Sequence, residues 1–219
     1  MKPPSLTPRL LIWDFDGTLA PSLEQIVISF QAAFAKTLGR HLEPAEVVSL
    51  FGPPDEEVIR RRVAPEDFTL AVRTFYETYR MREREASLFS PVQQFLDRTR
   101  SSLSHALVTN KGRMTTAIAL RARSLEDRFA AVVTGDDVAK PKPDPEGIQR
   151  VLTRLSVDPS EAIYLGDSPT DIEAAHRAGV MVAAVAYGGI HSLETLAAHN
   201  PTWLIDRPQA IAEWFGSLI

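Results

Sequence analysis

Short apolar runs rich in β-branched residues alternate with stretches of helical spacing from Leu88 to the end of the chain. This alternation is typical of a parallel β-sheet covered by helices on both faces. Leu10–Asp14 is apolar up to its last residue, as a strand buried on both faces should be, and we predict that it joins the same sheet. The predicted fold class is therefore α/β. The other predicted strands are Ala106–Thr109, Ala131–Thr134, Ala162–Leu165, Val182–Ala186 and Trp203–Ile205, and the predicted helices between them are Arg113–Ala122, Pro145–Leu155, Thr170–Ala178, Leu193–Ala197 and Gln209–Phe215.

The stretch from Leu23 to about Ala86 breaks this alternation and has no convincing strand pattern. Ser22 and Gln25 form a capping-box pattern, apolar residues then recur at helical spacing, and Gly39 is a suitable stop. An all-helical segment therefore interrupts the sheet-forming sequence. Its further predicted helices are Pro44–Leu50, Asp55–Val63 and Glu66–Glu85.

We predict that this segment, residues 21–87, is a helical cap inserted into a catalytic core of residues 1–20 and 88–219. The insertion follows the strand Leu10–Asp14, and loops at the carboxyl ends of parallel strands are where such sheets build their sites. A lid over a site is therefore favoured over mere decoration of the core. The chain is predicted to return from the cap through a linker at Ala86–Pro91.

The composition excludes several classes of protein. The 219 residues include no Cys, which rules out thiol nucleophiles, Cys-ligated zinc and disulfides. The formal net charge is -4 and no basic run lies near either end, so nucleic acid is not an expected partner. The length suffices to bury a substantial apolar core without a structural metal.

The apolar stretches of the sequence are short. Leu10–Trp13 cannot form the apolar core of a signal peptide, which takes ~7–15 residues. The longest later stretch, Val180–Tyr187, is well below the ~18 residues of a membrane span. We therefore expect a soluble, cytoplasmic protein with no membrane partner, either a monomer or a homodimer.

Two carboxylates follow the first predicted strand, in a run that reads Trp-Asp-Phe-Asp-Gly-Thr over residues 13–18. Asp14 and Asp16 lie where an apolar strand ends, and Gly17 permits a sharp turn. Like charges this close need compensation, which a bound cation or a shared proton supplies. Taken alone, the run is equally compatible with an ordinary turn, since Asp and Gly are typical turn residues.

Together with three later segments, this run resembles the motif set of the haloacid dehalogenase superfamily, whose phosphatases carry Asp-x-Asp-Gly-Thr after the first strand. Thr109 and Asn110 resemble the second motif, a Ser or Thr that ends the next strand. Lys140–Pro143 resembles the third motif, a Lys ahead of a helix, and Asp167 with Asp171 resembles the fourth. The resemblance covers essentially the whole core. The resemblance implies a Rossmann-like parallel sheet, and the inserted helical segment matches the cap that the superfamily carries between its first two motifs.

The resemblance implies a Mg²⁺-dependent phosphatase that works through an aspartyl-phosphate. Asp14 would bind the metal with one carboxylate oxygen and attack phosphorus with the other. Asp16 would act as general acid and then as general base, and its backbone carbonyl would also bind the metal. Asp167 would be the third protein ligand, with Asp171 acting indirectly or through water.

The resemblance also implies residues that hold the phosphate. The Thr109 hydroxyl and the Asn110 backbone amide would bind phosphoryl oxygens, and a Lys would neutralise the charge that builds up in transfer. Both Lys140 and Lys142 fit the family pattern Lys-Pro-x-Pro, and Lys142 is preferred because the second Pro of its match opens the following helix. Gly52 lies in a cap loop that, in related proteins, points at the core and helps to select the substrate.

The resemblance is closest to the phosphoglycolate phosphatase-like branch, which implies a small phosphorylated metabolite as partner and phosphoglycolate as the default substrate. Asp16 speaks against a dehalogenase, which needs no acid for its leaving group. A phosphosugar mutase, an inorganic pyrophosphatase or a nucleotidase would keep every motif, so the sequence leaves these alternatives open. A phospho-accepting signalling module, the alternative from another class, explains neither Asp16 nor the cap insertion.

Overall fold

A single parallel sheet forms the centre of the computed structural model, which describes residues 8–218. The strand order is β3-β2-β1-β4-β5-β6, and each neighbouring pair is parallel. The predicted α/β class is confirmed. The strands are β1 (Leu10–Trp13), β2 (Ser104–Val108), β3 (Ala131–Val133), β4 (Ala162–Gly166), β5 (Met181–Val185) and β6 (Trp203–Ile205).

Helices cover the sheet and form the inserted cap. Those of the cap are α1 (Leu23–Leu38), α2 (Pro44–Val48), α3 (Asp55–Arg60) and α4 (Phe68–Glu83). Those of the core are α5 (Ser90–Thr99), α6 (Arg113–Ala122), α7 (Glu146–Leu155), α8 (Pro169–Arg177), α9 (Leu193–Ala197) and α10 (Ala210–Gly216). Within the described residues, no helix combines the length and the apolar character that crossing a membrane requires.

Each face of the sheet packs against its own apolar layer, because alternate residues of a strand point to opposite faces. Leu11 and Trp13 belong to one layer, which includes side chains of α5, α6 and α10. Leu10 and Ile12 belong to the other, which includes side chains of α7 and α8. All four β1 side chains are fully buried, as the continuous apolar run of this strand predicts.

The register of the sheet fixes which loops meet at its carboxyl edge. Trp13 pairs with Leu107 of β2 on one side and with Leu165 of β4 on the other. The Asp14 amide extends this pairing and donates to the Leu165 carbonyl at 2.8 Å. The loops that follow β1, β2 and β4 therefore emerge side by side, which is where open parallel sheets place their ligands.

The cap has an apolar core of its own. Phe30 and Phe34 of α1 pack with Phe75 and Tyr79 of α4 in a buried cluster that is separate from the two layers of the sheet. The Phe30 and Phe75 ring centroids lie 4.6 Å apart, within the range in which aromatic pairs stabilise a core. Helices α1–α4 all fall inside the predicted cap, and the domain boundaries themselves stay a prediction.

Two local predictions are wrong. Residues from Ser90 onward form the α5 helix, whereas the sequence suggested a linker as far as Pro91; Pro fits the first turn of a helix, where its missing N–H costs nothing. Ser22 occupies the N-cap position of α1 but makes no capping hydrogen bond. Its hydroxyl donates to the Asp16 carboxylate instead, so a residue predicted to start a helix serves the site. The other predicted elements end within a few residues of those observed.

Candidate active site

A cavity of about 420 Å³ lies between the carboxyl edge of the sheet and the cap. Its lining includes every residue that the sequence singled out as catalytic, metal-binding or substrate-binding. Lys140 is exposed and does not line it. The sequence-predicted residues in the lining are Asp14, Asp16, Gly52, Thr109, Asn110, Lys142 and Asp167.

Three carboxylates crowd together at the bottom of this cavity. Asp14, Asp167 and Asp171 each place one carboxylate oxygen within 4.8 Å of the others, and all three residues are buried. Burial raises the pKa of Asp14 to about 6, opposed by the Lys142 charge and reinforced by Asp171 and Asp16. Burial, and then the charges of Asp171 and Asp14, also raise the pKa of Asp167 well above its ordinary value. A cation between these groups would relieve this repulsion.

Lys142 is the cation that the chain itself supplies to this cluster. Its Nζ lies 3.0 Å from Asp14 Oδ1 and donates to Asp171 Oδ1 at 2.6 Å and to the Tyr164 hydroxyl at 2.9 Å. Burial alone would lower the pKa of Lys142, but the Asp14 and Asp171 carboxylates outweigh it and raise the pKa above its ordinary value. Lys142 therefore stays charged beside Asp14 Oδ1.

Asp171 serves as the support for Lys142. Its Oδ1 accepts from Lys142 and from Tyr164, and its Oδ2 accepts from the Ser168 amide at 3.0 Å and from the Ser168 hydroxyl at 2.6 Å. Both oxygens are thus occupied by protein donors. This arrangement suits an indirect role, as the resemblance implied, and that role stays a prediction.

Asp16 is held by two neighbours that the sequence did not identify. The buried Lys111 Nζ lies 3.1 Å from both carboxylate oxygens of Asp16, and Ser22 donates to Oδ1. Lys111 also lies over the Tyr79 ring, 4.8 Å from its centroid. Burial opposes the charge on Lys111, but Asp16 and further groups raise its pKa above the ordinary value. The Asp16 side chain, 25% exposed, therefore faces the cavity from a fixed position.

The Asn110 side chain joins two of the predicted motifs. Its Oδ1 accepts from the Lys142 amide at 2.8 Å, and its Nδ2 donates to the Lys142 carbonyl at 3.0 Å. The loop after β2 and the loop before α7 are thereby held together across the sheet edge. The preceding Thr109 is buried, and its Oγ1 accepts from the Lys111 amide at 3.3 Å.

Gly17 makes room for Asp167. Its φ of +76° lies in the region that favours glycine, and a Cβ at this position would collide with the Asp167 carboxylate. Gly17 also closes the turn after Asp16 by donating to the Ala20 carbonyl at 2.9 Å. A glycine here lets the backbone approach the buried carboxylates closely.

The residues at the bottom of the cavity fit Mg²⁺. Asp14 Oδ1 is a buried carboxylate oxygen that has the Lys142 ammonium 3.0 Å away and no hydrogen bond from any other described residue. Buried carboxylates without enough donors are costly unless a cation compensates. The atoms available to coordinate a metal ion are all oxygens, and oxygen is the ligand type that Mg²⁺ prefers. Asp167 makes no ion pair among the described residues, and Asp14 shares the Lys142 ammonium with Asp171, so Asp14 and Asp167 are the candidate side-chain ligands.

Asp55 connects the cap to the core beside the same cavity. Its carboxylate accepts from the Gly112 amide at 3.1 Å and from the Thr115 hydroxyl at 2.5 Å, both at the start of α6. Burial raises the pKa of Asp55, and the nearby Lys111 charge opposes this. A carboxylate at a helix N-terminus is a favourable contact for the partial positive charge there.

Sequence reasoning missed Lys111, Ser22 and Asp55 as residues of the site. Lys111 directly follows Thr109 and Asn110, so its place after a predicted strand end was a usable signal. Ser22 and Asp55 were interpreted only as helix starts, and nothing local in the sequence shows that their partners lie in the core. These contacts depend on how the cap docks.

The comparison with known families gives the class of this protein. The sequence profile of the haloacid dehalogenase-like hydrolase family matches residues 11–185. The chain belongs to this family, and the resemblance drawn from the motifs is confirmed.

Two relatives lie at the same level of identity. The chain is 30% identical over 200 residues to Pyrophosphatase PpaX of Bacillus velezensis, which covers 90% of this chain and 91% of the relative. It is also 30% identical over 210 residues to Phosphoglycolate phosphatase 1 of Pseudomonas aeruginosa, which covers 91% of this chain and 76% of the relative. The prediction of a hydrolase of the phosphatase class in this family is confirmed.

Solved structures show the same fold. The crystal structure of a predicted phosphoglycolate phosphatase from Haemophilus somnus superposes with a TM-score of 0.83 at 23% identity, covering 95% of this chain and 98% of the other. The structure of CbbY from Rhodobacter sphaeroides in complex with phosphate superposes with a TM-score of 0.79 at 23% identity, covering 92% and 95%. At this identity the likeness concerns the fold alone.

Proposed function

We propose that the chain is a Mg²⁺-dependent phosphatase that hydrolyses a small phosphate monoester through an aspartyl-phosphate on Asp14. The observation that carries the proposal is the Asp14 carboxylate, buried in a cavity with its Oδ1 3.0 Å from the ammonium of Lys142 and close to the carboxylate of Asp167. This arrangement supports the proposed roles of Asp14 as nucleophile, of Lys142 as charge-neutralising cation, and of the carboxylate oxygens as metal ligands.

The first half of the reaction transfers the phosphoryl group to Asp14. One Asp14 oxygen forms a bond to phosphorus while the bond from phosphorus to the ester oxygen breaks. Lys142 lies 3.0 Å from Asp14 Oδ1, which places its positive charge where negative charge accumulates on the transferring group. The Thr109 hydroxyl lines the same cavity and is available to a phosphoryl oxygen.

A magnesium ion held by Asp14, Asp167 and the Asp16 carbonyl would offset the repulsion between the phosphate dianion and the attacking carboxylate. Asp171 pairs with the Lys142 ammonium and keeps it in place.

Asp16 is assigned both proton transfers. As an acid it protonates the leaving ester oxygen, and as a base it takes a proton from the water that attacks the aspartyl-phosphate, which restores Asp14 and releases phosphate. The position of its carboxylate supports this role, because it lines the cavity and is fixed by Lys111 and Ser22. A carboxylate that is already held in position lowers the entropic cost of reaching the reactive geometry.

Hydrolysis of p-nitrophenyl phosphate tests the proposal and separates an enzyme from a phospho-accepting module. Protein treated with EDTA should be inactive, and added Mg²⁺ should restore repeated turnover. Calcium at the same concentration is the matched control, because it is also a hard cation but prefers longer bonds and more ligands. Activity that is unchanged by EDTA would refute the metal dependence. A single burst without turnover would favour the signalling module.

A further inference from the structure

The cavity has two walls of different chemistry. We call its core side the floor, which carries Asp14, Asp16, Lys142 and Asp167, and its cap side the roof. The roof presents aliphatic and aromatic side chains from α1, from α2 and α3, and from the loop between those two. They are Leu23, Ile26, Phe30, Val48, Phe51 and Val58. Ile190 extends this apolar surface from the loop after β5.

Two lysines of the described residues line the cavity, and both form ion pairs with aspartates on the core side. Lys142 pairs with Asp14 and Asp171, and Lys111 pairs with Asp16. The side chains of these lysines are only 5% and 1% exposed, so neither can swing toward the roof without leaving its partner. His191 also lines the cavity, and burial lowers its pKa below the ordinary value despite the opposing charge of Asp171.

The charged residue that the cap adds to the lining is an anion. Asp55 is bound to Gly112 and Thr115, and both contacts satisfy the same oxygen, Oδ2. Beyond the floor, a second anionic group on a substrate would meet apolar side chains, the Asp55 carboxylate and the uncharged Ser168 and Thr170 hydroxyls, but no unpaired lysine or arginine among the described residues. Burying an unpaired charge in such surroundings is costly, whereas an apolar group gains by leaving water.

We propose that the leaving group of the substrate is uncharged and mainly apolar, so that the enzyme favours alkyl or aryl phosphate monoesters over phosphoglycolate, pyrophosphate and bisphosphates. This inference rests on the proposed function and narrows it to a substrate class. Phosphate binds the floor, and the rest of the ester lies against Phe30, Val48 and Phe51. The volume of about 420 Å³ suits a compact group, being near the lower end of the ~300–1,000 Å³ usual for small-molecule sites.

A matched pair of substrates tests this directly. Isobutyl phosphate and phosphoglycolate have leaving groups with the same number and arrangement of non-hydrogen atoms, and they differ in two methyl groups against two carboxylate oxygens. With Mg²⁺ bound, kcat/KM should favour isobutyl phosphate by at least about tenfold, because methyl burial and carboxylate desolvation act in the same direction. Equal rates, or a preference for phosphoglycolate, would overturn the proposal. A preference for pyrophosphate over isobutyl phosphate would overturn it as well.

Val48→Lys places a cation in the roof, and Val72→Lys is its matched control. Both valines are half-buried cap residues, but Val72 does not line the cavity. Val48→Lys should raise the ratio of kcat/KM for phosphoglycolate to that for isobutyl phosphate at least about tenfold, as one new ion pair in a partly buried site allows. Val72→Lys should leave the ratio as in the wild type. A ratio that moves equally in both variants contradicts the assignment of the roof, and if Val48→Lys does not fold, the wild-type ratio still decides.

Failure of this inference can be distinguished from failure of the proposed function. p-Nitrophenyl phosphate has a good leaving group, so its hydrolysis reports on the reaction at the floor. Turnover of that ester together with a preference for phosphoglycolate would leave the phosphatase intact and remove the apolar substrate class. Absence of turnover on all the esters, with Mg²⁺ present and the protein folded, would overturn the proposed function and this inference with it.

Discussion

The floor and the roof of the cavity come from different parts of the chain and differ in polarity. The floor is built from loops that follow parallel strands, where β1, β2 and β4 end side by side. The roof is built from the cap, and three of its residues, Ile26, Phe30 and Val58, also belong to the apolar core of the cap. Any phosphate ester must meet the floor, but only the leaving group meets the roof. On the function proposed above, this division assigns the reaction to the sheet edge and the choice of substrate to the cap.

The largest expected effect is on the floor, at Asp14. Asp14→Asn keeps the size of the side chain but removes the nucleophilic charge, so we expect kcat to fall by at least ~10⁴-fold on every ester, as for other lost nucleophiles. Steady-state rates on isobutyl and p-nitrophenyl phosphate would measure it. The unfolding temperature should stay close to that of the wild type. Substantial residual activity would move the nucleophile elsewhere.

Asp16→Ala should distinguish leaving groups. We expect a loss of ~10²–10⁴-fold on isobutyl phosphate, whose alkoxide needs a proton, and a smaller loss in phosphoryl transfer from p-nitrophenyl phosphate. Phosphoenzyme should accumulate, because the attacking water also lacks its base. Rapid-quench kinetics on the two esters checks both statements. If Asp16→Ala and wild type hydrolysed isobutyl phosphate at the same rate, the acid-base role would be wrong.

The two lysines of the third motif provide a matched pair on the floor. Lys142→Ala should lower kcat by ~10²–10³-fold, the usual cost of removing a group that stabilises charge in the transition state. Lys140→Ala should have little effect, since Lys140 is exposed. The loss of Lys142 also leaves Asp171 unpaired and buried, so thermal unfolding must be measured to correct for the folded fraction. A larger effect at Lys140 would contradict the site geometry.

Asp55→Asn tests whether docking of the roof matters. The substitution replaces an acceptor of two hydrogen bonds by an amide, which weakens the contact of the cap with Gly112 and Thr115. We expect KM to rise several-fold, corresponding to ~1 kcal/mol, with a much smaller change in kcat. Asp67→Asn, in the same cap but outside the cavity lining, is the control and should change neither constant. An effect on kcat alone would place Asp55 on the floor.

A last prediction concerns stability in acid and a buried residue, His105, that lines neither the floor nor the roof. Trp13 Nε1 donates to His105 Nδ1 at 3.0 Å, and burial, followed by the charge of Arg128, lowers the pKa of His105 to about 3. The unfolded chain takes up this proton below pH ~6.5, whereas the folded chain does not until far lower. The contribution of His105 to stability is therefore complete above that pH and is lost as the pH falls, by at most ~1.4 kcal/mol per pH unit.

Urea titrations at a series of pH values check this, with His105→Gln as the comparison. The variant should show a shallower fall in unfolding free energy on acidification. A slope identical to that of the wild type would show that His105 is not the responsible group. The result also separates loss of activity by unfolding from loss of activity by protonation of the floor.

The floor could be predicted from the sequence because its residues are fixed by local patterns. Asp14, Thr109 and Asp167 each follow an apolar strand, and parallel strands bring such positions to one edge whatever the details of packing. Lys142 was selected by the position of a helix start, which is also local. The fold class followed from the same alternation of strands and helices.

The contacts between cap and core could not be predicted in the same way. Ser22 and Asp55 have ordinary local interpretations as helix starts, and the role of Asp55 depends on partners 57 and 60 residues away. The apolar roof could not be predicted either, because the helical spacing of Phe30 and Val58 indicates only that they pack in the core of the cap. Only the docked structure shows that the roof faces the floor. The start of α5 was missed because Pro91 was interpreted as part of a linker.

Trapping the covalent intermediate tests the assignment of the reaction to Asp14 most directly. Wild-type protein mixed with Mg²⁺ and p-nitrophenyl phosphate, quenched in acid within one turnover and reduced with borohydride, should convert a single aspartate to homoserine. Peptide mass spectrometry should place that change on Asp14, and Asp14→Asn should show none. Reduction at Asp16 or Asp167, or turnover with no trapped aspartate at any quench time, would contradict the assignment of the reaction to Asp14.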